Sequence, residues 1–163
     1  MTKEEYNKAV KDYSGRVFRF ALKYLKDEEN AHDIVQDAFE KLWNNREKVD
    51  FEKSRSWLFT TAHNASINFL RKNNRISSLE GEEEWIPMIK DQVKNYEMKE
   101  ILDLCLEKLS AIQKTIILLR DIEGYSYEDI GEVTDLNESQ VKVYLFRARK
   151  KIKDFIKDIK LIT

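Results

Sequence analysis

Near its C-terminal end the chain reads Ser126-Tyr-Glu-Asp-Ile130-Gly-Glu-Val-Thr-Asp135-Leu-Asn-Glu-Ser-Gln140-Val-Lys-Val-Tyr-Leu145-Phe-Arg-Ala-Arg-Lys150-Lys-Ile152. Ser126 is a favoured residue at a helix start, and Asp129, three positions later, gives a weak form of the capping box. Asn137 and Gln140 form a second box with the same spacing. The buried stripe of the second helix is predicted to contain Val141, Leu145, Ala148 and Ile152. The stretch therefore predicts a short helix, a tight turn and a long second helix.

A short and a long helix joined at Asp135, which tolerates turn conformations, are typical of a helix-turn-helix unit. The second helix of such a unit enters the major groove of DNA, and its first residues contact base edges. The ordinary alternative is an amphipathic helix with a solvated cationic face. On the DNA-binding interpretation, base contacts are assigned to Ser139, Gln140 and Val143, with Lys142 and Arg147 as further candidates. Phosphate contacts are assigned to Arg149, Lys150, Lys151 and Lys153.

Composition favours helix throughout, because 36% of the 163 residues are charged and only one proline and four glycines interrupt them. The net charge of −1 conceals an uneven distribution. Residues 1–75 carry 15 Lys and Arg against 12 Asp and Glu, and residues 109–163 carry 10 against 9. Residues 76–108 carry 4 against 9. The cations are thus concentrated in two blocks with an acidic stretch between them.

Several classes of protein are disfavoured by the sequence. No apolar run approaches the length of a membrane span, and the first residues lack the apolar core of a signal peptide. Cys105 has no second cysteine to pair with, so we expect a cytoplasmic protein. His32 and His63 lack metal-ligand spacing, and no glycine-rich phosphate loop is present. We therefore expect no enzyme activity, catalytic residue, metal or cofactor.

The N-terminal block predicts three helices. Thr2 and Glu5 form a capping box for the first, and Asp27 begins the second. After a polar loop at about 44–53, Ser54 is predicted to begin the third. The last helices are predicted near 94–108, 111–123, 127–134 and 138–159.

Residues 73–93 interrupt the helical pattern with Gly81, Pro87 and the acidic run Glu82-Glu-Glu84. We interpret them as a flexible acidic linker between two small helical domains. The predicted organisation is an all-α fold with domains at 1–75 and 94–163 and the linker at 76–93.

Aromatic and basic residues alternate between Arg46 and Arg75, a composition suited to single-stranded nucleic acid. Bases stack on aromatic rings, and cations hold the backbone. A core position is an equally good interpretation for Trp57 and Phe69. Asn64 offers a side chain able to read a base edge. The candidates for single-strand binding are Arg55, Trp57, Phe59, Asn64, Arg71 and Lys72.

Three blocks, in this order, resemble the extracytoplasmic-function (ECF) group of bacterial sigma factors, the two-domain initiation subunits of RNA polymerase. Ala31–Trp43 resembles the polymerase-docking helix, Ser56–Lys72 the −10 recognition helix, and Leu109–Lys151 the −35 recognition domain. The chain departs from the family pattern at Asn68, Ser110, Gly131, Gln140 and Tyr144. The resemblance implies that polymerase is contacted by the polar stripe formed by Asp33, Gln36, Asp37 and Lys41.

The resemblance also implies core RNA polymerase, promoter DNA and an anti-sigma factor as partners, and a linker that enters the polymerase channel. One alternative is a stand-alone helix-turn-helix repressor or activator. Another is a sigma-mimicking protein that occupies an anti-sigma partner without binding DNA. The aromatic and basic segment at 46–75 favours the initiation factor over both, because neither alternative needs to hold single-stranded bases.

Overall fold

The computed structural model of the protein describes residues 1–73 and 98–160. Over these two ranges the chain forms seven α-helices and one π-helical segment, and no strand occurs within them. The predicted all-α class is therefore confirmed. The chain divides into two compact units: the first contains the first three helices together with Gly131–Asp135, and the second contains the remainder of the last four helices. The predicted linker at 76–93, with its acidic run, lies outside the described residues, and the predicted domain boundaries stay a prediction.

The first unit consists of α1 (Lys3–Leu25), α2 (Glu28–Asn44) and α3 (Phe51–Lys72), and each of these helices packs against the other two. Thr2 and Glu5 form the predicted reciprocal capping box of α1. Asp27 accepts a hydrogen bond from the backbone of Asn30, 3.0 Å away, and so caps α2 as predicted. Both predicted helix starts are confirmed.

The third helix begins three residues before the predicted position. Asp50, in an extended conformation, precedes Phe51, the first residue of α3. Ser54 is fully buried inside the first turns, and its hydroxyl donates to the carbonyl of Phe51 at 2.6 Å. A serine can satisfy its hydroxyl by such a local bond within a helix, so its presence alone does not mark a helix start. The connecting loop is consequently shorter than predicted, at 45–50.

The core of the first unit is aromatic where α1 meets α3. The ring of Phe20 lies edge-on to Phe59 at 5.3 Å and to Tyr24 at 5.2 Å. Phe59 is 0% exposed, and Val17 and Leu25 of α1 are also buried. Edge-to-face contacts of this kind add to the stabilisation from burying the rings.

The second unit consists of α4 (Met98–Glu107), α5 (Ala111–Ile117), a π-helical segment (Leu118–Ile122), α6 (Tyr127–Thr134) and α7 (Glu138–Lys160). Ser110 and Gln113 form a reciprocal capping box at the start of α5, and Gly124 ends this helical stretch with a φ of +71°. The single helix predicted at 111–123 is instead an α-helix that continues as a π-helix.

The long helix α7 packs against both α4 and α5. Its C-terminal half contributes Phe155 and Ile159 to a cluster around Cys105, with partly buried aliphatic side chains of α4 and α7 around it. Cys105 is 1% exposed and is therefore a core residue of this unit. Burial of this apolar surface holds α7 against the rest of the unit.

Replacing Phe59 with Ala should lower the free energy of unfolding of the first unit by about 3–5 kcal/mol, because a buried ring is lost and a cavity is left. Phe146→Ala is the matched control. Phe146 is 71% exposed, so its loss should change the free energy of unfolding by less than about 0.5 kcal/mol. Denaturant unfolding of the full chain measures both, and equal effects of the two substitutions would contradict this core.

Candidate nucleic-acid interface

The helix-turn-helix is built by local hydrogen bonds that the sequence predicts. The backbone N–H of Asp129 donates to the hydroxyl of Ser126 at 3.1 Å, at the start of α6. Asp135, between the helices, has a φ of +59°. At the start of α7, Gln140 and Asn137 each accept a hydrogen bond from the other's backbone N–H, at 3.0 and 2.8 Å. These bonds satisfy backbone donors that no helical carbonyl can reach.

Burial separates the two sides of α7 as the periodicity predicts. Val141, Leu145 and Ala148 are at most 3% exposed, and Ile152 is partly buried. All of the predicted DNA contacts on this helix are exposed: Ser139, Gln140, Lys142, Val143, Arg147, Arg149, Lys150 and Lys151. Their contact with DNA stays a prediction.

Gln140 has a double function in this geometry. Its side-chain oxygen accepts the hydrogen bond from Asn137, so the oxygen is engaged in the cap. The side-chain NH₂ group remains as the donor for a base edge. If Gln140 contacts a base without breaking its cap, its partner on the base is therefore an acceptor.

Phe146 lies among the exposed residues of α7 although the sequence assigns it no contact. Its side chain is 71% exposed, and Val143, another apolar residue on the same side of the helix, is 46% exposed. In the major groove an aromatic ring can contact the methyl group of thymine. The signal was present in the sequence, because helical spacing places Phe146 opposite the buried stripe.

Two of the predicted DNA-contacting cations have partners within the second unit. The ammonium of Lys142 lies 3.2 Å from Glu138 and 5.4 Å from the ring centre of Tyr127. The guanidinium of Arg149 donates to both carboxylate oxygens of Asp121, at 2.6 and 3.2 Å. The hydrogen bonds that Arg149 donates to the Asp121 carboxylate are the main cause of the raised pKa of Arg149. The pair engages two of the five N–H groups of Arg149 and holds its guanidinium next to a carboxylate, which is an unfavourable neighbour for a phosphate.

In the first unit, α3 brings together four of the six residues predicted to bind single strands. Trp57, Asn64 and Arg71 recur at seven-residue intervals and so share one face, with Lys72 beside it. Asn64, Arg71 and Lys72 are exposed, and Trp57 is half-buried. Arg55 is separated from Asn64 by nine residues, which places it on the opposite side of the helix.

Phe59 cannot have the predicted role of a stacking platform. Its ring is fully buried against Phe20, so no base can reach either of its faces. Helical spacing could have revealed this position, because buried residues recur every three or four positions along α3: Phe59, Ala62, Ser66 and Leu70. The aromatic character of Phe59 serves the core.

His63, next to Asn64, is also a core residue. Its imidazole is 9% exposed, and its ring centre lies 6.5 Å from that of Tyr24. Burial lowers the pKa of His63, and a hydrogen bond with Asn64 opposes this shift. The ring is therefore neutral near pH 7. Within residues 1–73 and 98–160, no three His, Cys, Asp or Glu side chains are grouped so that they could hold a metal ion.

The predicted polymerase-binding stripe is on the surface of α2. Asp33, Gln36, Asp37 and Lys41 are all exposed. Asp37 and Lys41 form an ion pair of 2.9 Å one turn apart along the helix. An exposed pair of this kind contributes little stability, so these side chains are available to a partner.

Comparison with known proteins identifies the family to which this chain is similar. Residues 9–76 match Sigma-70 region 2, and residues 99–152 match Sigma-70, region 4. The RNA polymerase sigma factor SigV of Bacillus subtilis is 34% identical over 158 residues, which cover 92% of this chain and 93% of SigV. The ECF RNA polymerase sigma-E factor of Haemophilus influenzae is 28% identical, over 96% and 90% of the two chains.

The chain belongs to the sigma-70 family, in its ECF subfamily. As a sigma factor it acts with core RNA polymerase on promoter DNA and directs the initiation of transcription. The resemblance in the sequence is thereby confirmed for both helical blocks.

Solved structures of low sequence identity share the fold of this sigma factor. The sigma factor RpoE of Bartonella quintana, solved with the anti-sigma factor NepR, matches with a TM-score of 0.73 at 21% identity, over 94% of this chain and 98% of RpoE. CnrH, solved with the cytosolic domain of CnrY, matches with a TM-score of 0.71 at 19% identity, over 96% and 90%.

Two further observations concern the pKa of the Cys105 thiol and the length and apolar character of the helices. Burial raises the pKa of the Cys105 thiol to about 11. Across the described part of the chain, no helix combines the length and the apolar character that a bilayer span requires.

Cys105 should react with iodoacetamide much more slowly in the native protein than in denaturant. At about pH 8 roughly one thiol in a thousand is ionised when the pKa is near 11, and the thiolate is the reactive form. The same shift should destabilise the second unit as the pH rises above the ordinary thiol pKa, because the unfolded state then loses a proton that the folded state keeps. Lys99→Cys combined with Cys105→Ser supplies an exposed thiol on α4 as the control. Equal native rates for both thiols would contradict the burial of Cys105.

Proposed function

We propose that the two units of this sigma factor share promoter recognition, with α7 reading the duplex −35 element and α3 holding the single-stranded −10 element. The observation that carries this proposal is the pair of exposed faces, each on a helix whose other face is buried. The chain acts by binding, and we assign it no catalytic step.

The face of α7 suits the major groove. Its first two turns expose Ser139, Gln140 and Val143, and Arg147 follows on the same side. Residues at the start of a recognition helix reach base edges, whereas Lys150 and Lys151 lie further along, where cations meet phosphates. Gln140 and Arg147 supply donors for base acceptors.

The face of α3 suits separated bases. Trp57 offers part of an aromatic surface, Asn64 can hydrogen-bond a base edge, and Arg71 and Lys72 at the C-terminal end carry charges for the backbone. The loop at 45–50 precedes this helix. Arg46 stands 4.0 Å from the ring centre of Trp43 and donates to the Trp43 carbonyl at 2.9 Å, which stiffens the start of this loop. We assign the pocket for a flipped base to residues 46–55, as the family resemblance implies; these residues comprise most of this loop and the first residues of α3.

The exposed stripe of α2 is the proposed docking surface for core polymerase. The stripe combines two acids, a glutamine and one cation, and the other side of the helix is buried through Ala31, Ala38 and Leu42. A partner can therefore use the stripe without disturbing the core.

An anti-sigma factor is a proposed further partner. RpoE of Bartonella quintana was solved with the anti-sigma factor NepR, and CnrH with the cytosolic domain of CnrY. This chain shares their fold, and the exposed faces described above would be masked in such a complex. We place the protein in the cytoplasm, where polymerase and promoters are found.

Substituting Asn64 and Gln140 should separate the two DNA-binding roles. Asn64→Ala should impair strand opening, seen as weaker permanganate reactivity of thymines near the start site, and leave binding of the polymerase complex to a duplex −35 fragment intact. Gln140→Ala should lower affinity for that fragment by about 5- to 150-fold and relax the preference at one base position.

Two matched controls isolate these effects. Asn7 is an exposed asparagine on α1, and Asn7→Ala should leave strand opening unchanged. Asn137→Ala removes the same capping box as Gln140→Ala, so it should cost helix stability without relaxing base preference. If the Asn64 variant opens the promoter normally and the Gln140 variant keeps its base preference, both assignments are wrong.

Exchanging the charges of Asp37 and Lys41 should weaken assembly with core polymerase. Asp37→Lys with Lys41→Asp keeps the net charge and an oppositely charged pair one turn apart, so the fold should survive. The exchange of Lys11 and Asp12, both exposed on α1, is the control. Competition for core polymerase against a labelled sigma factor measures assembly, and equal competition by both variants would move the docking site away from α2.

A further inference from the structure

The π-helical segment contains two consecutive residues, Arg120 and Asp121, that contact the two helices of the helix-turn-helix. Leu118 and Leu119 of this segment are buried, and the backbone N–H of Glu123 donates to the carbonyl of Leu118 at 3.0 Å. The segment then presents Arg120 and Asp121 outside the buried core. A π-turn widens a helix and redirects the side chains that follow it, and such turns are frequent at functional sites.

Arg120 contacts residues at the start of α6, the first helix of the helix-turn-helix. Its guanidinium donates to the carbonyl of Tyr125 at 2.8 Å and lies 4.4 Å from the ring centre of Tyr127, the first residue of α6. Lys142 of α7 approaches the same ring. A cation near an aromatic face is attracted by the ring electrons. Tyr127 is therefore contacted from the π-helical segment and from the recognition helix.

Asp121 binds to α7, the second helix of the helix-turn-helix, through Arg149. The pair is bidentate, and the two residues are 28 positions apart in sequence. The two parallel bonds of an arginine–carboxylate pair fix both distance and orientation, which a lysine could not do. The side chain of Arg149 is 51% exposed and that of Asp121 is 38% exposed, so the pair contributes little to the free energy of unfolding. Its importance lies in the fixed distance and orientation between the two residues.

The angular position of Arg149 on α7 separates it from the base-reading residues. At about 100° per residue, Arg149 falls opposite Gln140 and about 160° from Arg147. It lies at the border of the buried stripe, beside Leu145 and Ile152. Its side chain is thus placed to contact the scaffold, and the acid of Asp121 next to it repels a phosphate.

We propose that Arg149 is a positioning residue, which through Asp121 sets the orientation in which α7 presents Gln140 and Arg147 to the −35 bases, and that it does not contact a DNA phosphate. The inference rests on the proposed reading of duplex DNA by α7. It predicts that the pair Asp121–Arg149 acts as a unit and that its loss changes base discrimination.

The test compares Arg149→Gln, Asp121→Asn and the double substitution in the polymerase complex bound to duplex −35 DNA. Each single substitution should weaken binding by roughly 3- to 10-fold, and the double substitution should weaken it no further, because the same pair is lost each time. Each should also relax the base preference measured with substituted −35 sites. Asp121→Glu, which keeps the carboxylate, should restore most of the affinity and preference.

The salt dependence of binding separates positioning from phosphate contact. Lys150→Gln, at an exposed cation assigned to phosphate, should reduce the slope of log affinity against log salt by about 0.9, whereas Arg149→Gln should leave the slope unchanged. The inference is overturned if Arg149→Gln reduces the slope as Lys150→Gln does, or if Asp121→Asn strengthens binding by releasing Arg149 to a phosphate.

A measurement without DNA keeps this inference distinct from the proposed function. Thermal unfolding of the four proteins should show that the effects of Asp121→Asn and Arg149→Gln are not additive, which establishes the pair as a unit in solution. If Gln140→Ala also leaves base preference intact, the proposed function fails. If Gln140→Ala relaxes preference and the Asp121 and Arg149 variants do not, only the positioning role fails.

Discussion

The burial of one stripe of α7 is the constraint on which the second unit depends. Val141, Leu145 and Ala148 are almost completely removed from water, so the helix can present only its other side to a ligand. At 3.6 residues per turn, this choice exposes Ser139, Val143 and Arg147 together. The capping bonds of Asn137 and Gln140 determine where the helix begins, and therefore which residues form its first turn. A sigma factor needs such a fixed face, because base edges are read by a few side chains at defined positions.

Local charge matters more than net charge for a protein of this kind. The whole chain carries −1, yet the long helix α7 carries eight Lys and Arg against three Asp and Glu. Charges separated by more than about 8–10 Å of salt solution scarcely affect each other, so an approaching phosphate responds to the nearest side chains. For the same reason, a cation on a basic helix cannot be assigned to a DNA phosphate before its nearest charged neighbours are known. Arg149 belongs to that group by sequence, but a carboxylate of its own unit occupies it.

The first unit shows how one helix can serve a core and a surface with similar residue types. Along α3, Phe59 and His63 are buried, whereas Trp57 is half-buried and Asn64 is exposed. The buried side packs against the aromatic residues of α1, and the other side collects the polar and basic residues proposed to hold single strands. An aromatic residue in a basic segment is thus a candidate for stacking only when its helical position leaves a ring face open.

Sequence alone was sufficient for the all-α class, most helix ends and the exposed faces of α2 and α7, because capping boxes and 3.6-residue periodicity are local properties that need no knowledge of the neighbours. It was insufficient where the role of a residue depends on the packing around it, and it did not predict the π-helical segment within the helix expected at 111–123. Phe59 is buried because α1 supplies Phe20 opposite it. The third helix begins at Phe51 because Ser54 finds a local acceptor and a place in the core. Arg149 is paired because the π-helical segment brings Asp121 across 28 residues, and no pattern along one helix can reveal a partner on another.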